Sequence, residues 1–168
     1  MIRQKRYGYY PGCGLDSSAI AYSLSFRAVC DHLQIGLDEV PNWICCGTAP
    51  AHASSSLLAV ALPMKNLLLA EAAGMRELVV PCTGCFSRFR MALRETADNP
   101  RLRSDIAEIV GSPYRETVRV IHPLEIFDNG DSPDLRESVA RDLSSLRIAC
   151  YYGCLLTRPP RAVGISSR

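Results

Sequence analysis

Five of the eight cysteines in this 168-residue chain fall at one kind of place, just beyond a short β-prone run where the backbone turns. Tyr7 to Tyr10 stops at Pro11-Gly12 and leads to Cys13. Ile35 to Val40 meets the Pro41-Asn42 turn and then Cys45-Cys46-Gly47. The continuous apolar run in Glu77 to Pro81, typical of a buried parallel strand, leads into Cys82-Thr83-Gly84-Cys85. Helical segments separate these runs. Ser17 to Leu33 carries Ala19, Ile20, Leu24, Ala28 and Val29 at helical spacing, with Asp16 or Ser17 as N-cap, and Ser54 to Ala73 is Ala- and Leu-rich and ends at Gly74. Beyond them the pattern predicts helices over Phe86 to Thr96 and Leu102 to Val110, broken at Asn99-Pro100, then a strand over Val118 to His122. A short helix from Pro123 to Phe127, a helix over Pro133 to Leu143 and a strand over Arg147 to Tyr152 follow. This order predicts an α/β fold with a mainly parallel sheet flanked by helices. In such a sheet the strand-to-helix loops gather at the carboxyl edge, so Cys13, Cys45, Cys46, Cys82 and Cys85 can meet there.

Composition narrows the chemistry. Hydrophobic residues make up 48% and charged residues 21%, an ordinary globular balance far from that of disorder. A formal charge of +2 gives no basic face for a phosphate backbone, so nucleic acid is not an expected partner. The most apolar stretch, Leu57 to Leu69, is interrupted by Pro63, Lys65 and Asn66, so direct membrane insertion is not expected. No secretory signal opens the chain, and a cytoplasmic location is expected. Thiols stay reduced there, which favours metal ligation, catalysis or core packing over four disulfides. Tyr9-Tyr10-Pro11-Gly12-Cys13 recurs as Tyr151-Tyr152-Gly153-Cys154, each at the end of a predicted strand, and reads as a duplicated unit. A copy continuing as the first does would run past Arg168, so the expectation is a chain cut short: residues 1–145 as one unit and 146–168 as the first strand and loop of another.

A structural zinc site uses four ligands, commonly in two Cys-x-x-Cys knuckles. Here adjacent cysteines replace one knuckle and a fifth thiol is present. Adjacent residues of an extended loop point apart, so Cys45 and Cys46 suit different irons of a cluster better than one zinc ion. The sequence resembles the cysteine-rich CCG domain family, whose signature is a Cys, a spacer, Cys-Cys-Gly, a second spacer and Pro-Cys-x-x-Cys. In this chain 31 residues separate Cys13 from Cys45, and 35 separate Cys46 from Cys82 in Pro81-Cys82-Thr83-Gly84-Cys85. The runs Tyr9 to Leu15 and Tyr151 to Leu156, with Arg158-Pro159-Pro160, are similar in particular to the B-type subunits of the CoB-CoM heterodisulfide reductases.

That resemblance implies a noncubane 4Fe-4S cluster held by Cys13, Cys45, Cys46, Cys82 and Cys85, with Cys154 as first ligand of an incomplete second one. It implies an oxidoreductase that cleaves a disulfide between two clusters. The substrate would be CoB-S-S-CoM in methanogenesis and other sulfur carriers in bacterial relatives. The implied partners are the other heterodisulfide reductase subunits: the A-type, which bears flavin and iron-sulfur centres, and the ferredoxin-like C-type. One alternative is a CCG electron-transfer subunit of a lactate, glycolate or glycerol-3-phosphate oxidising complex, although Cys-x-x-Cys-x-x-Cys runs are missing. Another is a non-catalytic protein using Cys45/Cys46 and Cys82/Cys85 as a zinc clamp.

The remaining candidates have plainer readings. Cys30, beside Val29, and Cys150, inside Ile148-Ala149-Cys150, read as core residues. His32 reads as a helix-side residue and His122 as one preceding a proline. His52, the only histidine expected near the cysteine edge, reads as a loop or capping residue rather than a proton donor to a leaving thiolate. Arg88, Arg90 and Arg94 read as a solvated helix face, with balancing of cluster or substrate charge as the functional alternative. Gly12-Cys13-Gly14 lacks the Gly-x-Gly-x-x-Gly run of a dinucleotide site.

Overall fold

The computed structural model describes residues 5–128, 135, 137–139, 141, 144–151 and 153–163. Four parallel strands form its sheet: β1 (Arg6–Tyr9), β2 (Gly36–Glu39), β3 (Glu77–Val79) and β4 (Arg119–Ile121), in the order β2-β1-β3-β4. Tyr9 aligns with Glu39 on one side and Val79 on the other, and Val79 aligns with Ile121. Successive strand residues face opposite sides of the sheet. Tyr7, Tyr9, Val79 and Ile121 pack with Phe26 and Cys30 of α2 (Ile20–His32), with Leu33 just after it and with Ile126 of α7 (Pro123–Asp128). Leu78, Val80 and Val120 pack on the other face with α4 (Ser56–Ala72), α5 (Thr83–Asp98) and α6 (Pro100–Val110). This is the expected α/β architecture. The chain runs outward from β1 to β2, then crosses back to β3 on the other side of β1. That reversal opens a crevice at the carboxyl ends of β1 and β3, where ligands of open α/β sheets bind.

Several boundaries differ from the sequence reading. The first long helix begins at Ile20, with Ala19 as an N-cap that makes no side-chain bond, and is preceded by the one-turn α1 (Gly12–Leu15). Ser17 Oγ donates to the Cys13 carbonyl, 2.6 Å away, instead of capping α2. The Ala- and Leu-rich stretch divides into α3 (Thr48–Ser54) and α4, because Ser55 is extended and its hydroxyl accepts the Leu58 N–H as the α4 N-cap. Pro63 lies inside α4 and cannot donate to the Ala59 carbonyl one turn back. Arg88 Nη2 takes that acceptor at 3.3 Å.

Glu71 fastens the far end of α4. Its side chain is 4% exposed and accepts from the Arg115 and Thr117 N–H groups at 3.2 and 3.3 Å and from Thr117 Oγ1 at 2.7 Å. Burial pushes this carboxyl up, but the bonds from Thr117 and Arg115 outweigh it and hold it below the usual range.

The expected strand over Arg147 to Tyr152 is corrected: residues 147–151 have no regular structure, and Tyr152 lies outside the described residues. Among the described residues no ladder partner meets this segment, and Ile148 and Tyr151 are 70% and 96% exposed. Of the expected helix over Pro133 to Leu143, Leu135, Glu137 and Ser138 lie in turns, and most of the rest falls outside the described residues. Helices α8 (Cys154–Thr157) and α9 (Pro160–Val163) instead place Leu156 and Ala162 in the core beside α5. Among the described residues no helix is long and apolar enough to cross a membrane.

Candidate metal centre

The three strand ends deliver five thiols to the crevice. Cys13 follows Gly12 in the single turn of α1, Cys45 and Cys46 lie between β2 and α3, Cys82 is the N-cap of α5, and Cys85 is in its first turn. The Sγ atoms of Cys13 and Cys45 are 3.5 Å apart, and those of Cys46 and Cys85 are 3.0 Å apart. Cys85 also hydrogen-bonds Cys82. The outer pair, Cys13 and Cys45, is exposed, whereas Cys46 and Cys85 are 1% and 3% exposed and Cys82 is half-buried.

Helix α5 starts at Thr83, earlier than the sequence pattern suggests, and that start matters electrostatically. Hydrogen bonding to Cys85, then the N–H groups of Cys85 and Gly84, lowers the Cys82 thiol to about 6 against the opposing effect of burial. Hydrogen bonding to Cys85, helped by the Thr48 N–H, lowers Cys46 to about 7. Cys85, between these two, is held protonated by its bonds to Cys46 and Cys82 and by burial. Hydrogen bonding to Cys45 raises Cys13. Buried Cys46 and half-buried Cys82 are therefore the thiolate-prone sulfurs of the set.

Glycines keep the backbone close to these sulfurs. Gly12 has φ +70°, and a Cβ there would lie 3.0 Å from Cys85 Sγ and 3.2 Å from the Tyr10 ring. Gly47 has φ +78°, and its Cβ would come within 2.6 Å of Ala51 and Leu62 side chains. Among the described residues no group of three or more His, Cys, Asp or Glu side chains is arranged to hold a single metal ion. The thiols stand as a pair and a trio. An all-sulfur donor set spread this way, with backbone N–H groups aimed at the sulfurs, fits the chemistry of an iron-sulfur cluster.

The other candidates fall elsewhere. Cys154 is exposed at the start of α8, and its neighbour Leu155 reaches within 4.0 Å of the position a Gly84 Cβ would take. Cys30 is fully buried, as expected, and burial pushes its thiol up to about 11. Cys150, expected in the core, is exposed, because the strand that would have buried it does not form. His32 ends α2 and His52 is exposed on α3. His122, not His52, is the buried histidine at the carboxyl edge: it follows β4, is 5% exposed, and its ring meets Phe86 edge-on at 5.5 Å. Burial holds it below its ordinary value.

The solvated-face reading fits Arg94 alone of the three arginines, paired with Asp98 one turn on; Arg88 and Arg90 are half-buried, and Arg90 Nε donates to the Ala162 carbonyl at 3.1 Å. Two residues were not among the candidates that the sequence singled out for the site. Tyr10 and Asn66, both fully buried, hydrogen-bond the backbone of Ile44 just before the paired cysteines. Asn66 in an Ala- and Leu-rich stretch was the available signal.

Residues 7–90, which contain all five thiols, match the family model described as the CCG cysteine-rich domain. Over 98% of its length the chain is 30% identical to the 8-methylmenaquinol:fumarate reductase membrane anchor subunit of Wolinella succinogenes, covering 57% of that protein. It is 26% identical to a protein of Archaeoglobus profundus named as like the heterodisulfide reductase B-type subunit, over 89% of the chain and 51% of the relative. It is 22% identical to the B-type subunit of the ferredoxin/F(420)H(2)-dependent CoB-CoM heterodisulfide reductase of Methanosarcina acetivorans, over 90% of the chain and 52% of the relative. The chain thus spans about half the length of the curated relatives it matches.

Proposed function

The chain belongs to the cysteine-rich CCG domain family, and we propose that it serves as an iron-sulfur electron-transfer subunit of a multi-subunit reductase. Its ligands to a noncubane 4Fe-4S cluster are Cys13, Cys45, Cys46, Cys82 and Cys85. The observation that carries this reading is the gathering of all five thiols at the crevice between β1 and β3, with contacts of 3.0 and 3.5 Å linking residues from different loops. When bound, such a cluster supplies one-electron steps and an iron site for a sulfur atom. The protein's own contribution is positional. Cys46 and Cys85 form the buried wall with half-buried Cys82 beside them, Cys13 and Cys45 the solvent-facing rim, and Gly12 and Gly84 leave room for close approach.

The reaction favoured by this reading is reduction of a disulfide, CoB-S-S-CoM or a related sulfur substrate, in the cytoplasm. Electrons would come through the flavin-bearing A-type and ferredoxin-like C-type subunits of the complex. Residues 1–145 form the first CCG domain in this reading, and 146–168 open a second whose first ligand is Cys154. The two relatives whose names refer to the heterodisulfide reductase B-type subunit support it. A second reading rests on the relative named as a fumarate reductase membrane anchor subunit: the same centre would pass electrons within a complex that reduces something other than a disulfide.

Anaerobic reconstitution, followed by visible and electron paramagnetic resonance spectra, tests the cluster. Oxidation of reduced viologen by CoB-S-S-CoM, a bacterial low-molecular-weight disulfide and fumarate in turn, in the assembled complex, separates the two readings. Oxidation by a disulfide supports the first and oxidation by fumarate alone replaces it with the second. A colourless protein without iron contradicts both.

A further inference from the structure

Asn66 is a polar residue in the middle of α4, between Lys65 and Leu67, and it is fully buried. Burying an amide costs free energy unless its hydrogen bonds are remade. Here they are remade mainly on one residue of another segment. Asn66 Oδ1 accepts the Ile44 N–H at 2.9 Å, and Asn66 Nδ2 donates to the Ile44 carbonyl at 2.9 Å and to the Leu62 carbonyl at 3.0 Å. Tyr10 Oη donates to the same Ile44 carbonyl at 2.7 Å. Tyr10 is itself fixed, with the Trp43 ring 5.4 Å away edge-on and the Phe89 ring 4.9 Å away. Both backbone polar groups of Ile44 are thereby taken, although its side chain is 38% exposed at the rim.

The next two residues are Cys45 and Cys46, and they go to opposite destinations. Cys45 is exposed beside Cys13, and Cys46 is buried beside Cys85. Nothing in two adjacent identical side chains decides which goes inside. A rotation of the loop by one residue would exchange them. The fixed Ile44 peptide on one side and Gly47, in a conformation only glycine adopts readily, on the other remove that freedom.

We propose that Asn66, completed by Tyr10, is the positioning residue that sorts Cys45 to the rim and Cys46 to the buried wall. Only the statement that these thiols are ligands rests on the proposed function; the sorting itself is a property of the metal-free protein and is tested there. The experiment measures alkylation rates of Cys45 and Cys46 separately, by peptide fragmentation after timed iodoacetamide treatment of reduced, metal-free full-length chain. The wild type labels Cys45 much faster. Asn66→Ala lowers the Cys45-to-Cys46 rate ratio by about tenfold, and Tyr10→Phe, which removes one hydrogen bond with little change of shape, by about threefold. Tyr114→Phe is the control. It loses the bonds between Tyr114 Oη and the Val118 backbone at 3.0 and 3.2 Å, a comparable deletion beyond the crevice, and leaves the ratio within about twofold.

If Asn66→Ala does not fold, Tyr10→Phe against Tyr114→Phe decides. A ratio unmoved by the clamp variants, or moved equally by Tyr114→Phe, overturns the proposal. Iron and sulfide content of the reconstituted wild type is measured alongside, so a protein that sorts its thiols but takes no cluster refutes the functional reading and leaves the sorting standing.

Discussion

Tyr9-Tyr10-Pro11-Gly12-Cys13 and Tyr151-Tyr152-Gly153-Cys154 are nearly the same letters in two very different settings. In the first, both tyrosines are fully buried. Tyr9 lies in β1, its ring stacked at 6.1 Å on Phe26 with the Arg27 guanidinium 4.3 Å from its centre, and Tyr10 anchors the loop that carries Cys45 and Cys46. In the second, Tyr151 is 96% exposed. Gly12 has φ +70° with Cys85 close by, whereas Gly153 has φ −73° with open space around it. The motif therefore does not carry its own structure. Parallel strands on both sides, the Ile44 loop and the Phe89 ring make the first copy what it is, and the second copy has none of these among the described residues.

The sharpest way to break this contrast is to truncate the aromatic ring in each copy. Tyr10→Ala empties a fully buried site and is expected to cost about 3–5 kcal/mol in urea unfolding, while Tyr151→Ala stays within about 0.5 kcal/mol. Equal costs would mean that the second copy is packed as the first is.

A smaller effect comes from the latch that holds the first copy's sheet at its far side. Glu71→Ala leaves the Arg115 and Thr117 donors without their acceptor and is expected to cost about 1–3 kcal/mol. Its folded carboxyl is depressed, so its contribution is fully present above the unfolded value of about 4.3 and is lost as pH falls through the folded value. Glu71→Gln should flatten that part of the acid side of the stability curve. An unchanged acid limb would show that Glu71 is not the linked group.

The smallest change compares the two glycines. Gly12→Ala forces a Cβ into the left-handed region against Cys85 and is expected to cost about 1–2 kcal/mol, while Gly153→Ala is neutral or slightly stabilising. Thermal unfolding of the two variants side by side measures the difference.

Much of the sheet was legible because its signals are local. The break expected at Asn99-Pro100 marks the start of α6, where Asn99 accepts the Leu102 N–H and Pro100 takes the first turn. The five thiols were legible as a set because each follows a strand. What escaped was set by neighbours distant in sequence. The apolar run in Arg147 to Tyr152 cannot report that no described strand pairs with it, so Cys150 was misplaced with it. Asn66 looked like an interruption of an apolar run because Ile44, its partner, is 22 residues away. Arg88 looked solvated because the carbonyl it serves is freed by Pro63 on another helix. His122 looked unremarkable until β4 brought it to the carboxyl edge beside Phe86.

The central claim is that the thiols at the carboxyl edge, and not the buried thiol of α2, hold an iron-sulfur centre. Its most direct test is iron and acid-labile sulfide analysis of anaerobically reconstituted wild type, Cys46→Ser and Cys30→Ser. The account predicts about four irons and about four sulfides per chain, with visible absorption, in the wild type and in Cys30→Ser, and loss of the centre in Cys46→Ser. One zinc ion without colour, or a centre that survives Cys46→Ser and disappears in Cys30→Ser, would contradict it.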